Sequence, residues 1–541
     1  MTLPEITAHY LQLQTSATSF FAGPPVADWD RWIEARRRRP GLLADHPAAL
    51  EEIAAFNHAM GNDSVAVRRN LERLADPAAL AVLTGQQAGL LLSPLFIVYK
   101  AAGTLLLASQ IESRTGEPAV PIFWIASDDH DLAEVSVVRW IAKDGALAEF
   151  TLDTNAPAPG TPVYRFHLRR DEGRALLDRL RTTTLDTEFK SQWLDRLESL
   201  FESEPTLEEV FARLLARLFG ERGLVLVTPR LPALRRLGAC VLRGEIERPG
   251  ELTRAVLENA GRLKTAGYEA PLHRREGDCN FFLERQGRRH KVRYSGGRFH
   301  VIAPDTSSTA ETLEAAELTA MLEREPEHFS PNVVTRPLIQ DAVFPTIAYV
   351  GGPGEIAYHA QLDDAYHKTG VFRPIIWPRP RVTLIEPRVR RALEKLGTTP
   401  EQYMTRTLDE WRDDLWARSP RSTAQARFDA LRSRMEQTLD QLDADLSALG
   451  PPLKTATRKT AETIRFALDK LRERLDKHLM LGDEHLHRLE KIELALRPLR
   501  LPQERVFNPV CPFLFNYGEG LIESIMNAVD IEQFDGQFVH L

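Results

Sequence analysis

The chain has 541 residues, of which 43% are hydrophobic and 27% are charged, which is the composition of a soluble globular protein. A chain of this length is too long for one hydrophobic core, so two or three structural units are expected. A net charge of −7 disfavours generic binding to nucleic-acid phosphates. No uninterrupted apolar run reaches the length of a membrane span. The three cysteines are scattered and form no CxxC pair, which argues against a zinc site or a disulfide framework and favours a reducing cytoplasm.

Strand and helix patterns alternate early in the chain. The segment ALAVLTG (79–85) is typical of a buried strand. Residues 94–116 are typical of a helix with Pro94 in its first turn, and EPAVPIFWIAS (117–127) is typical of the next strand. Strand, helix and strand within about 50 residues predict a βαβ unit and a parallel sheet. Further strands are predicted at 223–229, 346–352 and 373–380, and a helix at 233–247. The fold class is therefore α/β.

Residues 273–302 have a different pattern. Alternating apolar and polar residues, with turns at QGR and SGGR, predict antiparallel hairpins. We expect this segment to belong to an insertion in the parallel-sheet core. The core is expected to span 1–384, with connecting insertions at about 141–222 and 248–330.

Residues 385–500 are predicted to form a helical arm. Its first half has apolar residues at heptad spacing, at Phe428, Leu431, Met435, Leu439, Leu442, Leu446 and Leu449. Gly450-Pro451-Pro452 breaks the pattern, which resumes at Ile464, so two long helices should form an antiparallel hairpin. We expect this coiled coil to form a homodimer; the alternative is a hairpin without a partner. The apolar segment 501–541 should pack back on the body.

Several nucleotide-binding and hydrolase motifs are absent, including GxxxxGK[ST], a GxGxxG after a strand, HExxH and GxSxG. The loop TGQQAGLLLSP (84–94) instead follows the first strand of the parallel unit, where open α/β sheets bind ligands. Gly85 allows a tight backbone path, and Gln86 and Gln87 offer amides to a polar substrate or to phosphate oxygens. The alternative is a glycine turn with surface glutamines.

A second polar cluster follows the next strand. In PIFWIASDDHD (121–131), a buried strand ends in Asp128, Asp129, His130 and Asp131. Buried carboxylates are costly unless they are paired, hydrogen-bonded or metal-bound. This cluster could bind Mg²⁺, hold a substrate ammonium or supply a base, with His130 able to titrate near neutral pH. The alternative is an acidic helix cap formed by Asp128 or Asp129.

A third cluster lies within 335–362. A strand runs into a glycine-rich loop and a helix, and polar residues stand on both sides of it. The candidate ligand-binding residues are Arg336, Gln340, Asp341, Gly351, Gly352, Gly354, Glu355 and Tyr358. The alternative is a structural turn capped by Glu355. Farther along, Arg379 and Arg381 follow the last apolar strand and could reach a phosphate.

Together these stretches resemble one known family. They are similar to segments of the bacillithiol-biosynthesis cysteine-adding enzymes, also called cysteine ligases. The similar segments are TGQQAGLL with PLF and YKA, PIFWIASDDHDLAEV, RPLIQDAVFPTIAYVGGPGEIAYHAQL, IEPRVRRALEK (385–395) and QERVFNPVCPFLFNYG (503–518). The resemblance covers nearly the whole chain in order. It departs at Leu92-Ser93, where the family usually has small residues, and at His359, where an aromatic residue is common.

The resemblance implies a Rossmann-like core related to nucleotidyltransferases and class I aminoacyl-tRNA synthetases, with a coiled-coil dimerisation arm. It also implies that cysteine is joined to the glucosamine amine of glucosaminyl-malate. By analogy with the related ligases, ATP would activate the cysteine carboxylate, with Mg²⁺ as a second expected cofactor.

On this hypothesis each cluster has a task. Gln86, Gln87 and the backbone of 351–354 would contact the nucleotide or an anion. Asp128 and Asp131 would bind the amino group or Mg²⁺, His130 would be the base, and Arg336 would hold a carboxylate such as malate's. No dedicated protein metal site is expected. Two other functions stay open: a nucleotidyltransferase acting on a sugar phosphate, and a non-catalytic dimeric scaffold.

Overall fold

A computed structural model of the chain describes residues 3–25, 28–153, 157–418, 420–480 and 484–541. The chain divides into two compact units. The first contains Met1–Thr383, Leu501–Val539 and Leu541, and the second contains Leu384–Arg500 and His540. No helix of the described residues is long and apolar enough to cross a membrane.

The strands of the described residues are numbered in chain order. They are β1 Leu80–Gln86, β2 Ala119–Ile125, β3 Val137–Ile141, β4 Leu147–Thr151, β5 Val225–Val227, β6 Asp278–Arg285, β7 Arg288–Ser295, β8 Arg298–Ile302, β9 Thr309–Leu313, β10 Phe329–Pro331, β11 Thr346–Gly351, β12 Ile375–Pro378, β13 Arg381–Ile385 and β14 Gly536–His540.

The α-helices are numbered in the same way. Those that precede residue 384 are α1 Glu5–Leu11, α2 Thr15–Thr18, α3 Trp29–Arg37, α4 Pro47–Ala59, α5 Val65–Arg73, α6 Phe96–Thr115, α7 Leu132–Val135, α8 Arg170–Thr183, α9 Lys190–Phe201, α10 Leu207–Phe219, α11 Pro232–Glu247, α12 Glu251–Thr265, α13 Ala315–Arg324, α14 Thr335–Val343, α15 Pro353–His359 and α16 Asp363–Thr369. Those that follow are α17 Pro387–Leu396, α18 Pro400–Met404, α19 Leu408–Arg418, α20 Pro420–Ser447, α21 Pro451–Met480, α22 Glu484–Leu496, α23 Gln503–Val506, α24 Phe513–Tyr517 and α25 Gly520–Ala528.

A five-stranded sheet in the order β12-β11-β1-β2-β5 forms the centre of the first unit. Every neighbouring pair in it is parallel, which confirms the α/β fold class predicted from the sequence. Every residue of β2 is buried, as expected for a strand covered on both faces. From β1 the chain places β2 and β5 on one side and β11 and β12 on the other, so the strand order reverses between β1 and β11. Ligands of open α/β sheets bind at such a reversal, beyond the carboxyl ends of the strands.

The predicted βαβ unit is confirmed, with α6 between β1 and β2. Gly116 ends α6 in the left-handed conformation at φ 72°, which glycine adopts without a steric penalty. The hairpins predicted at 273–302 are also present. They belong to an antiparallel sheet in the order β10-β6-β7-β8-β9, and one face of this sheet packs Phe281, Val292 and Phe299 into the main core.

The second unit contains the helical hairpin predicted from the heptads. α20 and α21 are antiparallel, because Arg432 pairs with Asp469 at 2.9 Å and Arg465 pairs with Asp440 at 3.0 Å. The hairpin buries Phe428, Leu439 and Leu468. Other apolar side chains of the two helices are substantially exposed, namely Leu431, Leu442, Phe466 and Leu471.

Arg379 and Arg381, which could have reached a phosphate on sequence grounds, are engaged elsewhere. Both guanidinium arms of Arg379 donate to the Glu504 carboxylate, at 2.8 and 2.6 Å, and the Arg379 side chain is 2% exposed. Arg381 donates to the Phe534 carbonyl at 2.9 Å. The phosphate interpretation of Arg379 is therefore wrong, because its charge is already neutralised inside the protein.

Asn508 joins the C-terminal segment to the loop that follows β1. Its Nδ2 donates to the Leu91 carbonyl at 2.6 Å and to Ser93 Oγ at 2.7 Å, while its Oδ1 accepts from the amides of Val510 and Cys511. The side chain is completely buried. This one amide therefore satisfies buried polar groups in two segments more than 400 residues apart.

We expect Asn508→Ala to lower the free energy of unfolding by about 2 kcal/mol or more, since it leaves several buried polar groups without partners. Chemical denaturation followed by tryptophan fluorescence measures the change. Asn527→Ala, at an exposed position of α25, is the control and should stay near the wild type. Equal stability of the two variants would contradict the role assigned to Asn508.

Candidate active site

A cavity of about 420 Å³ opens at the carboxyl end of the parallel sheet, at the reversal between β1 and β11. It receives residues from all three clusters predicted from the sequence. Those that line it are Gly85, Gln86, Gln87, Asp128, Asp129, Arg336, Glu355 and Tyr358. Gly85 and Gln86 end β1, and Gln87 comes directly after it. The two aspartates follow β2, and Glu355 and Tyr358 lie in α15, the helix that follows β11. Parallel strands bring these segments together because their carboxyl ends share one edge.

Asp128 is the more deeply buried carboxylate of the cavity wall. Its Oδ1 pairs with the Arg235 guanidinium, and the two side chains are 9% and 8% exposed. Its Oδ2 is buried and has no hydrogen-bond partner among the described residues. Because a buried polar atom without a partner is costly, Oδ2 is an acceptor ready for a donor on a ligand.

Asp129 connects the loops that follow β1 and β2. Its Oδ2 accepts from Gln87 Nε2 at 2.6 Å, its Oδ1 accepts from the backbone amide of His130 at 2.7 Å, and the Arg289 guanidinium lies 3.7 Å from Oδ1. The side chain is 40% exposed. Asp129 thus orients Gln87 and keeps a solvent-accessible carboxylate at the cavity.

His130 lies beside the cavity and contacts Arg289. Its Nδ1 is 3.2 Å from Arg289 Nη1, and because a guanidinium can only donate, Nδ1 must accept. The imidazole is therefore neutral, with its hydrogen on Nε2. Burial and the adjacent Arg289 charge both lower the pKa of His130, against the opposing effect of Asp129. With Nδ1 occupied, Nε2 offers a hydrogen-bond donor and no free lone pair for a base.

Asp131 does not line the cavity. Its Oδ1 accepts from the backbone amide of Glu134 at 3.2 Å and caps α7. The helix cap weighed for Asp128 or Asp129 is thus formed by Asp131, and this geometry does not support a ligand-binding role for Asp131. The reason is local: the chain turns into α7 at this residue, which directs the side chain toward the first turn.

Lys100 contacts three residues that line the cavity, and it was not among the site residues predicted from the sequence. Its side chain is 1% exposed, it forms an ion pair with Glu355, and Nζ donates to the Gly85 carbonyl at 2.6 Å and to Gln86 Oε1 at 3.0 Å. Burial lowers the pKa of Lys100 to about 8, against the opposing effect of Glu355. Burial alone would raise the pKa of Glu355, but Lys100 brings it below its ordinary value. With Gln86 Oε1 occupied, the NH₂ group of Gln86 is left as a donor.

Arg336 is positioned by two polar neighbours. Its guanidinium donates to Gln340 Oε1 at 2.9 Å and to the Tyr358 hydroxyl, and it lies 5.9 Å from the Tyr349 ring centre. Gln340 therefore supports Arg336 from behind and does not line the cavity. Tyr358 also stacks on His359, with ring centres 4.8 Å apart. His359 is buried, and neither ring nitrogen has a hydrogen-bond partner in the part of the chain that the structure describes, so it fills an aromatic position by stacking.

Asp341 lies outside the cavity. Its Oδ2 accepts from the Tyr366 hydroxyl at 2.6 Å, and burial raises the pKa of Asp341 to about 7, with Tyr366, Thr346 and Arg36 opposing. The Asp341 side chain is buried on the inner side of α14, where it supports the contact with α16. The geometry does not support the substrate-binding role expected for it.

The glycine loop 351–354 does not line the cavity either. The Gly352 amide donates to Glu355 Oε2 at 2.8 Å, and the Gly351 carbonyl accepts from the Arg379 amide at 2.9 Å. Both groups are already bonded within the fold, so the phosphate contact expected of them is not supported. The role of the loop is to start α15, and Gly354 lies in the first turn of that helix.

The antiparallel sheet and the segments near it contribute a further part of the wall. These residues are Arg274, Phe282, Arg289 and Asn332, joined by Trp124 at the end of β2. Arg289 donates to Ser330 Oγ at 2.9 Å and to the Pro331 carbonyl at 2.8 Å, and it stacks 3.9 Å above the Phe282 ring. A signal was present in the sequence, since cations alternate in RHKVR (289–293), but only the fold directs that strand toward the cavity.

A metal centre is not supported by this geometry. Among the described residues, no group of three or more His, Cys, Asp or Glu side chains could hold a metal ion. Of the two aspartates expected to bind Mg²⁺, Asp128 already pairs with the Arg235 guanidinium, and Asp131 caps α7 outside the cavity. The Asp129 carboxylate, which does line the cavity, faces the Arg289 guanidinium. The residues present therefore do not fit the expected Mg²⁺.

Comparisons with known proteins agree with the architecture. The chain matches the models for the N-terminal Rossmann-like domain of bacillithiol biosynthesis BshC over residues 2–380 and for its C-terminal coiled-coil domain over residues 382–541. A Salinibacter ruber protein with the printed name "Putative cysteine ligase BshC" is 31% identical, covering 97% of this chain and 94% of its own. A Chlorobaculum tepidum protein with the same name is 32% identical, covering 91% and 89%.

Among solved structures, one titled as an arginyl-tRNA synthetase from Campylobacter jejuni matches 79% of this chain and 94% of its own. It has 10% sequence identity and a TM-score of 0.22, which is too low to support any argument. The family assignment depends instead on the two domain matches, which together span nearly all of the sequence, and on relatives aligned over most of both lengths. The chain belongs to the bacillithiol biosynthesis BshC family.

Proposed function

We propose that this protein is a ligase that forms an amide bond between the carboxylate of cysteine and the glucosamine amine of glucosaminyl-malate. The observation that carries the proposal is a cavity at the reversal of a parallel sheet that combines buried carboxylates with guanidiniums. The substrates are a zwitterion and an amino sugar with an anionic tail, so the protein must bind ammonium and carboxylate groups side by side. Membership of the BshC family supports the same reaction.

Asp128 is proposed to hold the ammonium group of cysteine. Asp128 lines the cavity, and its Oδ2 is buried and has no partner among the described residues, so an ammonium would supply the missing donor. Its other oxygen is fixed by Arg235, which orients the carboxylate. Asp129, which is more exposed, is proposed to face the acceptor amine and to take up its proton.

Arg336 is proposed to bind a substrate carboxylate, because its planar guanidinium matches a carboxylate with two parallel hydrogen bonds. Gln340 and Tyr358 hold it in place. The NH₂ group of Gln86, oriented by Lys100, is a further donor for a carboxylate or phosphate oxygen. Gln87 is already bonded to Asp129, so we propose that it positions that aspartate.

His130 is proposed to donate a hydrogen bond from Nε2 rather than to act as a base. Arg289 occupies Nδ1 and keeps the ring neutral, so the side chain presents an N–H group. A donor of this kind stabilises negative charge that develops on oxygen when an amine attacks an acyl group. This replaces the base role expected from the sequence.

ATP is the proposed energy source, and its chemistry when bound is to activate the cysteine carboxylate. The fit depends on three guanidiniums that line one cavity, those of Arg274, Arg289 and Arg336, since these could compensate phosphate charge. A carboxylate and an ammonium ion form a salt and not an amide at neutral pH, so some activation is required. No step is assigned to Mg²⁺.

The helical arm is proposed to form a homodimer. Leu431 of α20 and Leu471 of α21 are 50% and 51% exposed. Leu442 and Phe466 are further exposed apolar side chains of the hairpin, and a second copy could bury them. We place the enzyme in the cytoplasm, in keeping with the reduced cysteines expected from the sequence, and retain the division into core, arm and C-terminal segment as a prediction.

Asp128→Asn should raise the KM for cysteine about tenfold or more, because an amide cannot replace the charge that holds the ammonium. Asp131→Asn makes the same chemical change at an exposed helix cap, where asparagine also caps well, and should leave turnover unchanged. Steady-state kinetics with cysteine, glucosaminyl-malate and ATP, with folding checked by circular dichroism, measures both.

Two results would contradict the ligase. Turnover of a sugar phosphate without cysteine would indicate a nucleotidyltransferase, and the absence of binding to any substrate in calorimetry would indicate a scaffold. Equal KM values for cysteine in the Asp128→Asn and Asp131→Asn variants would overturn the role of Asp128 alone.

A pair of variants tests His130. His130→Ala removes the donor and should lower kcat about 100-fold, within the range seen when a single donor to a developing oxyanion is lost. His130→Gln keeps an N–H group near the position of Nε2 and should stay within about tenfold of the wild type. If the glutamine variant is as slow as the alanine variant, His130 acts as a base.

The dimer is tested by the double variant Leu431→Glu, Leu471→Glu. Two charges on the shared apolar surface should shift the particle from twice the chain mass of 61.1 kDa to the mass of one chain, as measured by sedimentation. Lys459→Glu makes an equal change in net charge at an exposed position of α21 and should leave the dimer intact. A monomeric wild type would contradict the proposal.

A further inference from the structure

A second cavity, of about 560 Å³, adjoins the candidate active site. The two cavities share Arg274, Phe282 and Asn332 as lining residues, so they meet along one wall. The second cavity is lined in large part by residues of β6 and β7, both polar side chains such as Lys291 and core residues such as Phe281. A ligand bound in the first cavity could therefore extend into the second without leaving the protein surface.

The alternation of side chains along β7 places a row of cations that extends from one cavity to the other. Side chains two apart on a strand point to the same face, so Arg289, Lys291 and Arg293 share one face of β7. Arg289 lines the first cavity, and Lys291 and Arg293 line the second. The residue between the latter two, Val292, is a buried core residue that also contributes to the lining of the second cavity. The buried valine fixes the register and thus the direction of the cations.

The two cavities differ in charge. In the first, the guanidiniums of Arg274, Arg289 and Arg336 face the carboxylates of three acidic residues, Asp128, Asp129 and Glu355. In the second, four cations face the single carboxylate of Asp278, and these cations are Arg274, Arg275, Lys291 and Arg293. The chain as a whole carries a net charge of −7, so an excess of positive charge in one concave site is a local feature.

Some of these cations have unused binding capacity. Among the described residues, Lys291 and Arg274 form no ion pair, and the buried Nε of Arg274 has no hydrogen-bond partner. The Arg274 Nη2 atom donates to the Cys279 carbonyl and to Asn280 Oδ1, both at 2.8 Å, which fixes the guanidinium at the wall between the cavities. Arg293 pairs with Asp278, with 3.3 Å between Arg293 Nε and Asp278 Oδ1.

We propose that this second cavity is an anion subsite that binds a group with two or more negatively charged oxygens while the reacting end of the same ligand occupies the first cavity. Two sources share this chemistry: the dicarboxylate tail of the acceptor and the phosphates of the nucleotide. Naming these sources depends on the proposed function, whereas the anion subsite depends on the charge and geometry alone. Phe282, between Arg289 and Lys291, supplies the apolar contact at the junction.

The test measures binding separately from turnover. Calorimetry with the full chain at low salt would use malate, glucosaminyl-malate, pyrophosphate and ATP as probes, first with the wild type and then with Lys291→Gln, Arg293→Gln. We expect the double variant to bind one class of probe at least about tenfold more weakly, since hydrogen bonds to charged groups are lost. Arg298→Gln is the control: it removes a cation of the same sheet that lines neither cavity, and its affinities should equal the wild type.

The outcomes separate the sources. Weaker binding of malate and glucosaminyl-malate alone assigns the subsite to the carboxylate tail, and weaker binding of pyrophosphate and ATP alone assigns it to phosphate. Unchanged affinity for all four probes, or an equal loss in Arg298→Gln, overturns the subsite. If the wild type binds these anions at Lys291 and Arg293 but forms no amide, the proposed ligase fails while the subsite stands.

Discussion

One buried ammonium links the end of β1 to the helix that follows β11, where the candidate active-site cavity opens. The strand order reverses between β1 and β11, which pair in parallel, and the cavity lies beyond their carboxyl ends. Lys100 reaches this edge from α6 and binds the Gly85 carbonyl, the Gln86 amide oxygen and the Glu355 carboxylate. Because a buried charge is costly without partners, all three contacts must be present together, and this requirement sets the geometry of the cavity floor.

The charges above that floor are arranged in pairs. Asp128 faces Arg235, Asp129 faces Arg289, and His130 is kept neutral by the same Arg289. Such compensation lets ionised groups remain in a partly buried site, where their electrostatic effect on a ligand is larger than in water. It also explains why the site is unsuited to a divalent cation, since the carboxylates already have positive partners. Beyond Phe282 the compensation ends, and positive charge is in excess.

Much of the architecture could be predicted from the sequence. Apolar runs predicted β1, β2, β5, β11 and β12, and the heptads predicted the hairpin of α20 and α21. These patterns are local, since burial on both faces leaves a continuous apolar run and burial along one seam leaves a periodic one. The residues that follow the parallel strands and line the cavity were also predictable, because strand ends share one edge of the sheet. Gln86, Gln87, Asp128 and Asp129 are of this kind.

Individual side-chain directions and distant partners were not predictable. SDDHD has four polar groups in its last residues, and the sequence alone cannot distinguish Asp128, which lines the cavity, from Asp131, which caps a helix. The sequence by itself determined the strands, the helical arm and the loops that carry polar residues, since these depend on neighbours along the chain. Only the tertiary structure decided that Lys100, Arg235 and Arg289 complete the site, because the cost of burying charge is relieved by partners that lie far apart in sequence.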